Sequence, residues 1–334
     1  MSVPNVYLRR LSLAALVAAG LAVGASPFAG RVALAEEVQL GVDNLDPFPA
    51  LMEPLATSAL INAVTMVGDQ LIAVGAWGHI LVSGDQGKTW TQVEAPVNVT
   101  LTSVHFVNDK LGFITGHDAA ILRTEDGGKT WALVQYDPAL ETPLFDLFMR
   151  DDKSGFAIGA YSLVLATEDG GKTWATKSMG DLDFHMNALA QAKDGKIWIA
   201  GEAGHVFVTD ASLSEMKIIE TPYSGSFWNV LPLADGSVLA MGLRGNVWRT
   251  TDNGETWSQS NVPTIASVQF GRQLHDGRVL LVGLEGTVLI SKNDGVDFEQ
   301  VKREDRNALS TAFETKSGEV LLFGEAGVQG ALTN

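Results

Sequence analysis

One spacing dominates this sequence. A glycine ends a short apolar run at Gly75, Gly116, Gly159, Gly201, Gly242, Gly283 and Gly324, at intervals of 41, 43, 42, 41, 41 and 41 residues. Three residues later a second glycine recurs at Gly78, Gly204, Gly245, Gly286 and Gly327, with Ala119 and Ser162 in that place in the other two units. Self-similarity at such a period is the mark of a repeat architecture, in which one supersecondary unit is copied and each copy covers the next.

The content of a unit selects the architecture. In the second unit residues 101–107 alternate as a strand, and Asn108 and Asp109 make a turn. Residues 111–115 form a second strand, His117-Asp118-Ala119 a short loop, and residues 121–124 a third strand. Residues 125–129 turn again into a fourth strand over 130–135. Short β-rich runs between Gly/Asp turns are hairpin signals, and four antiparallel strands per unit make one propeller blade. No segment past residue 35 shows a long 3.6-residue apolar period.

The expected fold is therefore all-β, a seven-bladed β-propeller of four-stranded antiparallel blades, in one domain over residues 36–334. The last unit begins near Leu309 and stops at Asn334 after about three strands. One period back from Trp90 lands near Phe48, so residues 43–56 are expected to supply the outer strand of the last blade and close the ring, hiding an open sheet edge. Pro47, Pro49 and Pro54 suit an outermost strand, which need not donate every hydrogen bond.

A second signature sits at the turn between the third and fourth strands. It reads Ser83-Gly-Asp85-Gln-Gly87-Lys-Thr89-Trp90 in the first unit and recurs around Asp126 and Trp131, Asp169 and Trp174, and Asp252 and Trp257. It is eroded at Asn293 to Phe298 in the sixth unit and lost over 209–216 in the fourth. The Asp carboxylate can accept hydrogen bonds from its own turn, and the Gly takes a conformation that side chains disfavour. The Trp is expected to pack between neighbouring sheets, where about 150–250 Å² of buried area stabilises by a few kcal/mol. A device repeated in every well-formed blade reads as structural, because a metal or catalytic site needs one convergence point.

The N-terminus reads as a cleaved signal peptide over residues 1–35. Arg9 and Arg10 precede an apolar run from Leu11 to Gly24, too short for an ordinary span, and Ala33-Leu34-Ala35 is an A-x-A cleavage signal. No other segment is long and apolar enough to cross a bilayer as a helix. An exported, periplasmic or secreted protein is expected. Cleavage removes three of 23 basic and none of 39 acidic residues, leaving a formal charge of −19. Such a surface repels phosphate backbones, so nucleic acid is not an expected partner. The absence of Cys excludes disulfides, thiol catalysis and thiolate metal sites.

The combination Val-Gly-x-x-Gly-x-Ile/Val-x-x-S/T-x-D-x-G-x-T-W resembles the Ycf48/Hcf136 family of photosystem II assembly and stability factors, and the wider YCF48-related group with BNR (Asp-box) repeats. The resemblance covers residues 43–334. It implies an exported propeller that acts, without catalysis or cofactor, as an assembly, stability or accessory factor for an envelope membrane-protein complex. Similar proteins are linked to RND-type export systems. One departure matters: the photosynthetic members have an arginine-rich face, and this chain is acidic.

Two other functions compete. Sialidases also carry Asp boxes on propellers, and their chemistry needs three arginines clamping a carboxylate, an acid/base Asp and a Tyr activated by Glu. Past residue 35 the chain has only Tyr136, Tyr161 and Tyr223, and its arginines are scattered through strands and turns. The six histidines lack the paired spacing of a metal site, so no metal is expected. The other alternative is small-molecule or ion binding in the central channel.

A partner surface is expected where the loops between second and third strands share a face with the blade-linking loops. The candidates are Trp77, His79, His117, Asp118, Tyr161, Glu202, His205, Arg244, Glu285 and Glu325, with Phe227 and Trp228 from a linking segment. Trp, Tyr and Arg are enriched at interaction hot spots. The plainer alternative is that Trp77 and Trp228 pack between blades. A closed ring makes a monomer the default.

Overall fold

The computed structural model describes residues 47–180 and 183–332. The expected signal peptide, residues 1–35, lies outside the described residues. Among the described residues the chain forms seven antiparallel sheets in sequence order, each built outward from its innermost strand. Blade 1 comprises Ile61–Val67, Gln70–Gly75, Ile80–Ser83 and Thr91–Val93; blade 2 comprises Leu101–Phe106, Gly112–Gly116, Ile121–Thr124 and Ala132–Gln135. Blades 3, 4, 5 and 6 begin at Leu144–Met149, Met186–Gln191, Phe227–Pro232 and Val268–Gln273, and each has four strands. Blade 7 comprises Leu309–Glu314, Val320–Gly324 and Gly327–Ala331. Helical structure among the described residues is limited to three-residue 3-10 turns.

The second strand of each blade shows why the ring forms. It is an unbroken apolar run, buried residue by residue from Val238 to Gly242 and from Val320 to Gly324. A strand buried on both faces loses the usual polar alternation. In blade 1, Ile72 and Val74 point into a cluster shared with Leu101, Ile114 and Leu122 of blade 2. Their neighbours Leu71 and Ala73 point the other way, onto Phe313, Leu321 and Phe323 of blade 7. Seven such apolar clusters, one per pair of adjacent blades, make up the core of the described residues.

The Asp boxes of blades 1, 2, 3 and 5 clamp each of these blades onto the preceding one. In blade 1 the Ser83 hydroxyl donates to Asp85 Oδ1 at 2.8 Å, and the Thr89 amide and hydroxyl donate to the two carboxylate oxygens at 2.9 and 2.7 Å. Trp90 Nε1 donates to Gly87 O at 3.0 Å, and its ring meets Phe323 of blade 7 edge-on at 5.8 Å. Gly87 has φ 87°, a conformation that side chains disfavour, and a Cβ there would stand 2.3 Å from the tip of Leu321 of blade 7. The same set recurs around Asp126, Asp169 and Asp252. Trp131 packs with the blade 1 cluster, Trp174 against Phe113 of blade 2, and Trp257 against Trp198 of blade 4.

Two blades vary the device. In blade 6, Asn293 replaces the Asp and donates from Nδ2 to Asp297 Oδ2 at 2.8 Å, so the charge has moved across an equivalent bond. In blade 4, where the box is lost from the sequence, Asp210 accepts from the amides of Ser212 and Ser214 and from both hydroxyls. Its carboxyl is held well below the ordinary carboxylate range, first by the Ser212 hydroxyl.

The segment before blade 1 corrects one expectation. Residues 43–46 lie outside the described residues, and residues 47–56 do not pair with blade 7. They run along the margin of blade 1, where Ala50 N donates to Ala95 O at 3.0 Å and Gln92 Nε2 to Leu51 O at 2.8 Å. Blade 7 has three strands among the described residues. Ala50 instead completes apolar cover beside Ala95 and Trp131. The ring closes by direct packing between blades 7 and 1, and by a hydrogen bond from the Ser310 hydroxyl to Ile61 O.

Two outcomes follow. Trp131, 8% exposed, replaced by Ala should lose about 3–5 kcal/mol in guanidinium unfolding; a loss below about 1 kcal/mol would contradict its role as an inter-blade clamp. The carboxyls of Asp85, Asp169 and Asp252 are held at about 2 by donors from Thr89, Thr173 and Thr256 respectively. At Asp126 burial pulls upward, yet the donors of Thr130 and Thr124 outweigh it and the value is also about 2. The unfolded value is about 3.9, so this stabilisation is present above about pH 4 and is lost as pH falls toward 2. Replacing all four with Asn should flatten the calorimetric dependence of Tm on pH across that window.

Candidate functional site

The loop face is built by repetition. Each loop between second and third strands tucks its last residue under the segment leading to the next blade. Gly78, at φ 72°, would bring a Cβ to 2.0 Å from Val97 O, and Gly327, at φ 76°, to 1.9 Å from Thr57 O. The second glycine of the repeat is thus a site of backbone contact. Thr57 and Ser58 fill for blade 7 the slot that a blade-linking segment fills elsewhere. Where the glycine is replaced, Ala119 and Ser162 hold the left-handed conformation themselves, at φ 51° and 56°.

The middle residue of four of these loops is large, and it is left-handed too. Trp77, Tyr161, Arg244 and Glu285 have φ of 59°, 53°, 58° and 57°. Each costs on the order of 1–2 kcal/mol relative to a right-handed backbone, a cost that Gly or Asn would reduce. The conformation holds the side chains outward: Trp77 is 69% exposed and Tyr161 63%. The Trp77 ring lies open on the face, and the edge of the exposed Tyr161 ring meets His185, ahead of blade 4, at 4.8 Å. Arg244 is exposed, and Glu285 is exposed and paired with Arg306.

The remaining predicted residues divide. His117 and Glu325 are exposed, the latter accepting from Ala308 N at 2.7 Å. Asp118 is half-buried. Glu202 is half-buried, its carboxylate accepting from His185 N at 3.0 Å, and His205 stacks against Phe184 at 4.6 Å. Trp228 is half-buried in the wall of the central cavity. Two candidates leave the surface. Phe227 is 0% exposed because its side chain fills the cluster between blades 4 and 5. His79 is 4% exposed at the start of the buried third strand, with Nδ1 unpartnered and burial lowering its pKa. Sequence reasoning missed Leu55, Leu140 and Ile265, exposed by 74%, 45% and 88% on the same face. The signal was an apolar residue stranded in a Pro-containing connection, as in Pro138-Ala-Leu140 and Pro263-Thr-Ile265.

A central cavity of about 520 Å³ opens among the same loops, lined by innermost strands of all seven blades. Every innermost strand is bulged at its second residue. In blades 1, 2, 4 and 7 that residue stitches its blade to the next: Asn62 Nδ2 donates to Leu101 O at 2.8 Å, Thr102 Oγ1 to Leu144 O at 2.7 Å, and Asn187 Nδ2 to Phe227 O at 2.7 Å. Ser310 makes the equivalent closing bond. In blades 3 and 5 the position holds Phe145 and Trp228. Blade 3 is stitched by the following residue, whose Asp146 Oδ2 accepts from Leu189 N of blade 4 at 3.0 Å. Burial pushes the Asp146 carboxyl up to about 6, against the opposing amides of Leu189 and Leu147. His105, deeper on blade 2, is held below the ordinary imidazole range by desolvation.

The arginines are dispersed. Arg123 binds Gly170 O and Glu125, Arg249 binds Asp294 O and Asp235, and Arg272 lies over the Phe313 ring at 4.5 Å. Arg278 and Arg303 pair with Asp276 and Asp305.

Comparison with known proteins adds four findings. The family model described as photosynthesis system II assembly factor YCF48 matches residues 82–141 and 134–287. The structure of YCF48 bound to a D1 peptide superposes with a TM-score of 0.69 at 20% identity, over 86% of this chain and 97% of that one. Virginiamycin B lyase from Staphylococcus aureus superposes with a TM-score of 0.71 at 12% identity, over 86% and 98%. At these identities structural likeness speaks for the fold alone. The uncharacterized protein YkuO of Bacillus subtilis (strain 168) is 32% identical over 76 residues, 22% of this chain, and the chain spans about a quarter (25%) of that relative's length.

The environment of Asp146 has a direct readout. Carbon-13 carboxyl shifts should place its titration near pH 6 and those of the box aspartates near pH 2. Ionising Asp146 costs stability as pH rises from about 4 to about 6, opposite in sign to the boxes. A midpoint below 4 would show that the cavity wall is wetter than its packing indicates.

Proposed function

Because the chain belongs to the family of the photosynthesis system II assembly factor YCF48, we propose that it is a non-catalytic docking factor for a membrane-protein complex, working through its loop face. The observation that carries this reading is the set of large side chains held outward by left-handed residues on that face. Backbone strain at exposed residues of a rigid scaffold points to function. Trp, Tyr and Arg are the types that anchor interfaces. Exposed Leu55, Leu140 and Ile265 extend the apolar area around them.

The relative in complex holds a D1 peptide, which supports a peptide segment of the partner as the element engaged here. In this reading residues 1–35 direct export and are removed, and the propeller works in the periplasm or outside the cell. The acidic balance, 39 acidic against 23 basic residues over the whole chain, favours a neutral or basic partner surface. The Asp boxes serve the scaffold, since each is satisfied within its own turn.

The test replaces Trp77, Tyr161 and Arg244 together with Asn, a residue that tolerates their backbone conformation. Chemical crosslinking in membranes, with the crosslinked peptide identified by mass spectrometry, should join the unaltered protein to a membrane-protein subunit through this face. The triple variant should lose at least tenfold in crosslink yield at an unchanged Tm. Equal yield from both proteins would defeat the reading.

A further inference from the structure

The bulge positions of the innermost strands form a belt in which a hydroxyl or amide of one blade holds the next. The belt is interrupted in the same cavity that the loop face surrounds. Phe145 and Trp228 take the place of stitching residues, and both line the cavity. Asp146, beside Phe145, lines it too. Among the described residues, the lining includes no Lys or Arg; beside His117 its polar groups are amides and hydroxyls such as Asn187, Asn229, Gln269, Thr102 and Ser310. The cavity thus has one carboxylate, one imidazole, no Lys or Arg, and aromatic walls from Phe145, Trp228 and Phe270.

We propose that this cavity receives a primary ammonium group, supplied by a lysine of the docked partner segment, with Asp146 as its counter-ion and Phe145 and Trp228 flanking its alkyl stem. A terminal carboxylate or an acidic side chain would meet Asp146 with no compensating cation. An aliphatic side chain would leave that carboxylate without an ion partner, and an ammonium ion satisfies it. Aromatic faces attract an ammonium group further. The volume, about 520 Å³, lies in the range of sites that take small ligands, so it holds one side chain and its flanking backbone. The burial that raises the Asp146 carboxyl would be relieved by the bound cation, and binding should lower that value.

The inference rests on the docking reading only for the source of the cation. Calorimetric titration of the purified protein with N-acetyl-lysine methylamide, and with its norleucine and glutamate counterparts, tests the cavity itself. At pH 7.5 the lysine probe should bind at least tenfold tighter than norleucine, with no binding of glutamate. The advantage should shrink at least tenfold by pH 5, as Asp146 takes up its proton. His117 on the cavity wall, His105 on blade 2 and His185 ahead of blade 4 are the other titratable groups around Asp146. His117→Ala should keep the pH dependence, and Asp146→Asn should abolish both it and the lysine preference. If Asp146→Asn does not fold, the pH series on the unaltered protein decides. Trp228→Leu should weaken the lysine and norleucine probes alike. Spermidine binding tenfold tighter than the lysine probe would keep the ammonium site and overturn the partner as its source. Equal binding of all three amino-acid probes, or a lysine preference that survives in Asp146→Asn, would overturn the proposal. Neither result would touch the crosslinking of the loop face.

Discussion

Each sheet in this protein is apolar on both sides and has no helix to cover it. A strand such as Gln70–Gly75 buries Ile72 and Val74 in one direction and Leu71 and Ala73 in the other. A sheet of that kind needs a neighbour on each face, and so does every neighbour. The requirement ends only when the last sheet meets the first. Hydrophobic contact supplies the attraction, and two directional devices fix the geometry. At one end of the ring the Asp-box tryptophan leans onto the preceding blade. At the other, near the axis, a bulged hydroxyl or amide reaches the following blade. Blades 1 and 2 carry both devices and are located from both sides.

Repetition of this kind makes departures from it informative. The bulge positions all line the cavity; Asn62, Thr102, Asn187 and Ser310 also bond the next blade, and the position is aromatic at Phe145 and Trp228. The loop position is cheapest as Gly or Asn, and it is Trp, Tyr, Arg or Glu on four blades. The two sets of departures converge on one end of the molecule. The opposite end carries the boxes, where Asn293 and Asp210 show different residues reaching the same hydrogen-bonded turn.

The blade count and strand order were legible because each depends on local chemistry that recurs seven times, and the box turns because theirs recurs intact in four units. The glycine after each second strand must meet a backbone, and the box Gly must meet the preceding blade. The exposure of Trp77 and Tyr161 was open in the sequence, because a loop aromatic reads equally as anchor or as filler; only the folded loop, with 69% and 63% of each residue exposed, decides it. Phe227 and Trp228 adjoin in sequence yet part company in space, as strand alternation requires, and the bulge sets which of them faces the channel. Asp146 was invisible as a candidate. Its neighbours across the axis come from blades more than a hundred residues away, and no local motif records a cavity. Over residues 47–56 the expected outer strand does not form, for a related reason: a period counted backward assumes that the chain keeps its register, whereas hydrogen bonds at Ala50 and Leu51 hold this stretch along blade 1.

That failure leaves the third strand of blade 7, Gly327–Ala331, without an outer partner among the described residues. A bare margin of this kind is where extended chains stack into fibrils. Here it is uneven. The pairing slips between Leu321 and Phe323, Gly330 turns left-handed at φ 78°, and Gln329 is held by Arg303 at 2.9 Å. Such a kinked, short strand offers a second molecule no straight row of donors and acceptors. Among the described residues, this margin of blade 7 is thus shaped against acting as a seed for aggregation.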